Sequence, residues 1–217
     1  YSYFLNAGVD RIISLDDFDS KLNNSKWGVH DEYIFDLLKK DIMTHKGPYL
    51  KTVFTLSSHD PYDVPMDPVF EGKDRGTQYL NSIYYTDSCL GKFFHEIKET
   101  PAWDNTLFIL LADHGSNRPG NTENHEVEKF EIPMVWLGGV LNDSLNYIDK
   151  IGSQIDLPAT LLGQLGINYS DYSYSKNLFT KENNEYAFYA FNDGFGFITD
   201  TTFVIYDNVA NCPIYTN

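Results

Sequence analysis

Residues 106–112, TLFILLA, constrain the fold of this chain more than any other stretch. A nearly continuous apolar run of this length is typical of a strand that is covered on both faces, as in a parallel sheet. Parallel strands need long crossover connections, which are usually helices. The run therefore predicts an α/β fold, and it leads directly into Asp113, His114 and Gly115.

The other periodicities agree with this fold class. Apolar residues at helical spacing predict amphipathic helices, and short apolar or alternating runs predict strands. The predicted strands are residues 11–14, 49–56 and 132–139, and the predicted helices are residues 29–44, 76–98 and 153–165. Residues 186–207 alternate and contain Asn-Asp-Gly, which predicts antiparallel strands joined by a tight turn. We expect one domain over residues 1–217.

The net charge of the chain limits which molecules it can bind. With 16 basic and 31 acidic residues, the formal net charge is −15, which opposes nucleic acid, so we expect no nucleic acid partner. An anionic substrate would need a bound cation to reverse the local field.

Cys89 and Cys212 are too few for a disulfide framework, and no run reaches the roughly 18 apolar residues of a membrane span. The start, YSYFLNAGVDRII, has no initiating Met or signal-peptide pattern and indicates the interior of a longer chain.

Two histidines follow predicted strands. His59 lies just beyond the second of them, and His114 lies just beyond residues 106–112. Ligands bind beyond the carboxyl ends of the strands in open α/β sheets, so we expect both histidines at one edge of the sheet. Gly115 allows the chain to turn so that Asp113 and His114 face one point. A carboxylate and an imidazole suit zinc or manganese, with two further ligands required.

Each of these candidates also has an ordinary structural explanation. Asp113 can cap a backbone amide in a turn, and His59 can be a loop histidine held by the neighbouring serines. His125, in the polar segment NTENHEVEKF, either completes the site or is solvated. Arg118 is the cation near these groups and can hold an anionic oxygen, although a surface arginine is the commoner case.

The sequence shows no nucleophile. It contains no Gly-x-Ser-x-Gly elbow, no Walker loop and no glycine-rich dinucleotide fingerprint. His30, His45 and His95 lie on or beside the amphipathic helices, and we expect all three at the surface. The candidate site is therefore limited to the residues that follow the two strands.

Four segments stand in a recognisable order: TLSSHDPYDVP, YLNSIYYTDSCLGKFFHEIKETPAWDNTLFILLADHG, HEVEKFEIPMVWLGG and SQIDLPATLLGQLG. Together they resemble the carboxyl-terminal half of a sulfatase-fold enzyme of the alkaline phosphatase superfamily. The resemblance is closest to the lipoteichoic acid synthase-like group, with phosphoethanolamine transferases as cousins, and covers residues 27–165 approximately. It implies a three-layer α/β/α sandwich, of which this chain is an incomplete carboxyl-terminal portion with a small antiparallel subregion over residues 165–217.

The resemblance also implies a divalent metal, manganese or zinc, with calcium or magnesium as alternatives. Asp113 and His114 would be two ligands, and a Glu and a Thr or Ser nucleophile would come from an earlier half of the fold. His59 matches the family's histidine over the substrate phosphate, and His125 resembles a second such histidine in the phosphoethanolamine transferases. Residues 116–117 replace the acidic pair of those transferases, and the tyrosine that follows the histidine in the Gram-positive synthases is missing. The donor and the acceptor therefore stay open.

The implied activity is metal-dependent hydrolysis or transfer of a phosphoric or sulfuric ester on cell-envelope lipids or glycans. The substrate would be anionic and lipid-linked, and the nucleophile an upstream Thr, Ser or formylglycine, although this chain lacks the Cys-x-Pro-x-Arg signature for formylglycine. We expect an extracytoplasmic parent, anchored in the membrane by its upstream region, and no activity from these 217 residues alone. The alternative is a non-catalytic envelope- or sugar-binding module with a degenerate sulfatase fold.

Overall fold

The computed structural model describes residues 2–142, 147–181 and 185–216. The chain forms two compact units. Unit 1 comprises Tyr1–Leu110, Asn117–Asn121 and Val135–Val140, and unit 2 comprises Leu111–Ser116, Thr122–Met134 and Leu141–Asn217. Within the described ranges, no helix is long and apolar enough to cross a membrane.

The regular elements alternate along the first part of the chain and become all-β at its end. The α-helices are α1 (Ser2–Asn6), α2 (Asp31–Thr44), α3 (Arg75–Lys98) and α4 (Leu157–Gln164). The strands are β1 (Phe108–Leu111), β2 (Met134–Leu137), β3 (Tyr186–Phe191), β4 (Gly194–Thr199), β5 (Phe203–Asp207) and β6 (Cys212–Thr216). Short 3₁₀ helices cover Leu15–Asp17, Ser20–Leu22, Trp103–Asn105, Val127–Lys129 and Gln154–Asp156.

The core of unit 1 lies between α2 and α3. Side chains four residues apart fall on one face of a helix, and this spacing selects the buried residues of α3. The core residues are Phe35, Ile42, Tyr85, Cys89, Phe93 and Ile97. Asp74 begins α3, because its carboxylate accepts a hydrogen bond from the Thr77 N–H at 3.0 Å. The two helices predicted in this part of the sequence are confirmed, and α2 begins at Asp31.

The first half of α3 buries a different face from the one that its apolar residues predict. Ile83 and Tyr84 are exposed, whereas Asn81 is buried. The Asn81 side chain accepts hydrogen bonds from the N–H groups of Val69 and Phe70, at 2.8 and 2.9 Å. Because this amide fixes the loop before the helix, the face carrying Asn81 points inward and its apolar neighbours point outward.

Two of the predicted strands are not formed. Residues 11–14 and 49–56 carry no strand in the described structure, where β1 and β2 instead form a two-stranded sheet. A strand requires a neighbouring backbone to accept its ladder of hydrogen bonds, and no described segment pairs with residues 49–56. Leu50 and Phe54 are accordingly 88% and 61% exposed. The strands predicted at residues 106–112 and 132–139 are confirmed as the shorter β1 and β2.

A buried carboxylate organises the helical part of unit 2. Asp156, which is fully buried, accepts hydrogen bonds from the backbone N–H of Ser153 at 2.8 Å and of Lys176 at 2.8 Å. The Lys176 ammonium also donates to this carboxylate at 2.7 Å. The sequence predicts a helix beginning at residues 153–156, and the structure confirms it as a 3₁₀ turn followed by α4.

The carboxyl-terminal part of unit 2 is an antiparallel sheet in the order β3-β4-β5-β6, as residues 186–207 predict. The predicted Asn-Asp-Gly turn joins β3 to β4, with Asp193 in the left-handed region at φ 64°. Tyr189 pairs with Gly196 on β4, where a Cβ atom would lie 2.1 Å from the tyrosine ring. The Tyr189 ring also stacks on Phe130, with ring centroids 3.9 Å apart.

The two isoleucines of α3 give a direct test of which face of the helix is buried. We expect Ile97→Ala to lower the free energy of unfolding by about 2–5 kcal/mol, because Ile97 is 0% exposed and the substitution leaves a cavity. Ile83→Ala makes the same change at a residue that is 40% exposed, and should cost less than about 1 kcal/mol. Urea unfolding followed by circular dichroism measures both, and equal losses would contradict the observed helix orientation.

Candidate functional site

Asp113 and His114 lie directly after β1, in unit 2. The Nε2 atom of His114 is 3.7 Å from Oδ2 of Asp113, and both side chains are 75% exposed. The other carboxylate oxygen, Oδ1, accepts a hydrogen bond from the His114 N–H at 3.0 Å. The adjacent side chains therefore approach each other, and both are accessible to solvent.

The ring of His114 has a defined tautomer. Its Nδ1 atom lies 2.7 Å from the carbonyl oxygen of Gly115, and because a carbonyl can only accept, Nδ1 carries the proton. In the neutral ring, Nε2 is then the unprotonated nitrogen, beside the Asp113 carboxylate. A metal-binding histidine is commonly held in this way, with its other nitrogen donating to a backbone carbonyl.

Gly115 is required by a close backbone contact. A Cβ atom at this position would lie 1.9 Å from the carbonyl oxygen of Lys129, a distance that no side chain tolerates. The sequence predicts a glycine whose conformational freedom permits a turn, but Gly115 is not among the glycines of positive φ, and it is required here because it admits the backbone of the following segment. The side chain of Gln154 also fixes this region, donating to the carbonyl oxygens of Ala112 and Asp113 at 2.6 and 2.7 Å.

His125 lies in the same unit as Asp113 and His114. It is exposed, in a turn where the Glu126 N–H donates to the Glu123 carbonyl at 3.1 Å and the Glu126 carboxylate accepts from the Glu123 N–H at 2.6 Å. The turn holds the backbone around His125 and leaves its ring accessible. A role for this histidine in the site stays a prediction.

His59 lies in unit 1, on a tight double turn. The Leu56 carbonyl accepts from the His59 N–H at 3.1 Å, and the His59 carbonyl accepts from the Tyr62 N–H at 2.9 Å. Trp27 packs edge-on against the imidazole, with ring centroids 4.4 Å apart, and its indole N–H donates to the Asp60 carbonyl at 2.6 Å. His59 itself is exposed, so the turn presents its ring to solvent.

Cations and aromatic rings surround this turn. Arg75 lies 3.4 Å from the Asp60 carboxylate, donates to the Pro61 carbonyl at 3.3 Å and sits 6.0 Å from the ring centre of Tyr62. The Lys26 ammonium is 5.3 Å from the ring centre of Trp27. The surface near His59 therefore carries two cations, of which Arg75 is paired with the Asp60 carboxylate.

Arg118, the other predicted substrate-binding residue, also belongs to unit 1. It is half-buried and precedes a cis peptide bond to Pro119. The Pro119 carbonyl lies close to the start of α3, where a Cβ atom on Gly76 would be 3.3 Å from it. Arg118 therefore stands on a segment packed against that helix.

The described structure brings together Asp113 and His114. His59 and Arg118 belong to unit 1 and the other three predicted residues to unit 2, so their convergence on one cavity stays a prediction. Among the described residues, no group of three or more His, Cys, Asp or Glu side chains is placed to hold a metal ion. The pair fits two positions of a metal site by donor chemistry and tautomer, and the remaining ligands stay unassigned.

The prediction that His30 lies at the surface is wrong. His30 is buried just before α2, where its ring packs edge-on against Tyr85 with ring centroids 5.9 Å apart.

Cys89 lies in the core of unit 1, where burial raises the pKa of its thiol. A buried thiol of raised pKa is a poor nucleophile, so Cys89 does not supply the nucleophile that the sequence lacks.

Sequence reasoning missed Trp27, Arg75 and Gln154. Trp27 stands in a loop and Arg75 at the start of a helix, where an aromatic or a cation has many ordinary roles. The available signal for Trp27 was its place in Lys-Trp-Gly, because an exposed loop tryptophan next to a glycine is a candidate for binding. Nothing in the sequence links Gln154 to residues 112–113.

Comparison with known proteins identifies the family. The sulfatase family profile matches residues 1–167, which is more than half of the chain. The chain belongs to the sulfatase family. The resemblance inferred from its motifs is therefore confirmed.

The relatives in this family include proteins named for lipoteichoic acid synthesis. The chain is 22% identical over 201 residues to the lipoteichoic acid synthase-like YvgJ of Bacillus subtilis (strain 168), covering 83% of this chain and 33% of that protein. It is 25% identical over 216 residues to lipoteichoic acid synthase 1 of the same strain, covering 88% and 32%. The chain thus spans about a third of the length of these relatives.

Solved structures confirm the fold class. An alkaline phosphatase superfamily protein from Vibrio parahaemolyticus matches with a TM-score of 0.76 and 24% identity, over 97% of this chain and 55% of that one. The lipoteichoic acid synthase LtaP from Listeria monocytogenes matches with a TM-score of 0.75 and 16% identity, over 98% and 60%. The fold is that of the alkaline phosphatase superfamily, with the predicted small antiparallel sheet.

Gly115 and Gly120 form a matched pair for testing the loop after β1. We expect Gly115→Ala to lower the free energy of unfolding by about 1–3 kcal/mol or more, because the new methyl group collides with the Lys129 carbonyl. Gly120→Ala has no atom within 4 Å of the added Cβ and should leave stability nearly unchanged. Denaturant midpoints compare the two, and identical midpoints would show that Gly115 is not required by this contact.

Proposed function

We propose that this chain forms part of the catalytic domain of a metal-dependent enzyme that hydrolyses or transfers phosphoric or sulfuric esters. The substrates are anionic cell-envelope lipids or glycans. The nucleophile is a Thr, Ser or formylglycine outside these residues. Family membership and the relatives named for lipoteichoic acid synthesis support this class of reaction.

The observation that carries the proposal is the pairing of Asp113 with His114. A carboxylate oxygen and the imidazole nitrogen that does not bond to Gly115 lie 3.7 Å apart, both accessible, just beyond a strand. Two ligands about 2.1 Å from one zinc ion, at tetrahedral angles, are separated by roughly 3.4 Å, so only a small movement would be needed. Asp113 and His114 are therefore the residues proposed to hold the metal.

The other proposed residues act on the substrate. When bound, a divalent ion lowers the pKa of the attacking hydroxyl and offsets charge on a non-bridging oxygen of the ester. His59 donates a hydrogen bond to the same oxygens or protonates the leaving group, since its ring is presented to solvent by a fixed turn. Arg118 binds an anionic oxygen, and His125 is a second histidine for the phosphate or sulfate group.

Local charge supports an anionic substrate. The net charge of −15 repels anions at long range, whereas Lys26 and Arg75 place two cations near His59. The Arg75–Asp60 pair is about half exposed on each side, so solvent screens it and Arg75 can exchange partners at little cost. An extracytoplasmic protein held at the membrane by residues outside this chain would meet such lipid-linked esters.

Asp113→Asn tests the metal site. We expect the full-length protein to lose at least about tenfold in manganese or zinc affinity, because an amide is a far weaker ligand than a carboxylate. Elemental analysis after dialysis against limiting metal measures the content. Asp87→Asn, which removes an exposed carboxylate on α3, is the control and should retain the wild-type content. Unchanged metal in Asp113→Asn would refute the assignment of this residue.

A second experiment separates ester chemistry from binding alone. The full-length protein is expected to hydrolyse an aryl phosphate or an aryl sulfate in a metal-dependent manner, and the ester that is turned over identifies the class. The 217 residues alone are expected to show no turnover, since they lack the nucleophile and further ligands. Activity of this segment alone would contradict the proposal, and metal-loaded full-length protein without turnover would favour a non-catalytic envelope-binding module.

A further inference from the structure

The most deeply buried carboxylate of unit 1 is bonded to the segment that carries His59. Asp31, the first residue of α2, is fully buried. Its Oδ1 atom accepts hydrogen bonds from the backbone N–H groups of Leu56 at 2.8 Å and Ser57 at 3.2 Å. Its Oδ2 atom accepts from the Thr86 hydroxyl on α3 at 2.7 Å. One side chain thus joins both helices to the start of the His59 turn.

The contact between Asp31 and Ser57 is reciprocal. The Asp31 N–H, one of the unpaired donors at the start of α2, donates to the Ser57 hydroxyl oxygen at 3.0 Å. Ser57 therefore caps the helix from a distance while the helix holds the backbone of Ser57. Neither end of this contact can shift without breaking the other, so the backbone at residues 56–57 is fixed relative to α2.

The bonding continues from this fixed point to the imidazole. The Leu56 carbonyl accepts from the His59 N–H at 3.1 Å, so the residue held by Asp31 also closes the turn that contains His59. Trp27 holds the other side of the turn through its bond to the Asp60 carbonyl. Trp27 is 45% exposed, however, so Asp31 is the anchor that solvent cannot compete for.

The free-energy cost of burying the Asp31 carboxylate is high for a residue whose role is only structural. Burying it without a cation is costly, and in the described part of the chain Asp31 forms no ion pair. Three donors and the positive end of the α2 helix compensate for this cost. Truncation would leave two backbone N–H groups and a hydroxyl unpaired in the interior.

From this arrangement we infer that Asp31 is a positioning residue, which sets the location of the His59 imidazole for the ester chemistry proposed above. It does not touch the reacting atoms and acts through the backbone of residues 56–59. Displacement of a catalytic group by about 1 Å can cost on the order of a hundredfold in rate, so loss of this anchor should slow the chemical step. The inference rests on the proposed function only for its kinetic part.

Hydrogen exchange of the full-length protein tests the structural part. In Asp31→Ala we expect the amides of residues 56–60 and 62 to exchange at least about tenfold faster, while those of β3–β6 are unchanged. Asp156→Ala is the matched control, because it removes an equally buried carboxylate in unit 2 and should leave residues 56–62 at the wild-type rate. Wild-type exchange at residues 56–62 in Asp31→Ala would overturn the inference.

Kinetics test whether this anchor acts through His59. We expect Asp31→Ala to lower kcat about tenfold or more with KM within about twofold, and Asp31→Ala added to His59→Ala to cause no further loss. A structural defect unrelated to His59 would multiply the two losses, and that result would overturn the inference. If Asp31→Ala does not fold, Thr86→Val removes a single donor and should give the same pattern at smaller size.

The proposed function and the positioning role of Asp31 can be refuted independently of each other. Wild-type protein without ester turnover would refute the proposed function, and the exchange of residues 56–62 would then decide the role of Asp31 by itself. Turnover with multiplicative losses would retain the proposed function and reject the positioning role.

Discussion

A buried carboxylate at the start of a helix, bonded to backbone N–H groups far along the chain, is the interaction on which each unit depends. In unit 1, Asp31 begins α2 and holds residues 56–57. In unit 2, Asp156 precedes α4 and holds the backbone and ammonium of Lys176. Such groups are stable in the interior only when both oxygens accept hydrogen bonds, so they fix the chain more specifically than apolar packing does.

The candidate metal ligands are organised in the opposite way. The side chains of Asp113 and His114 are each 75% exposed. Their arrangement comes from the backbone: Gly115 admits the Lys129 carbonyl, its own carbonyl accepts from the His114 ring, and Gln154 donates to residues 112–113. The fixed backbone therefore restricts the entropy lost on ligand binding to that of the two side chains.

Local periodicity explains which elements could be predicted. The helices at residues 29–44 and 153–165 and the antiparallel strands from residue 186 follow from spacing, caps and a turn signal. Residues 49–56 have the composition of a strand, but strand formation depends on a distant partner that the sequence does not specify. The buried face of α3 could not be predicted either, since it follows from the hydrogen bonds of Asn81 to a loop that precedes the helix.

The same limit applies to the site. Asp113 and His114 could be found because they are adjacent and follow an apolar run, whereas Trp27 and Asp31, which fix the turn of His59, lie more than twenty residues before it. Asp31 and Glu32 both stand in the first turn of α2, where the helix dipole already accounts for an acidic residue. Only burial separates them: Glu32 is half-buried, and the carboxylate of Asp31 is enclosed and bonded to other elements. An acidic residue at a helix start therefore has to be assigned from its contacts, because its position in the sequence is explained equally well by either role.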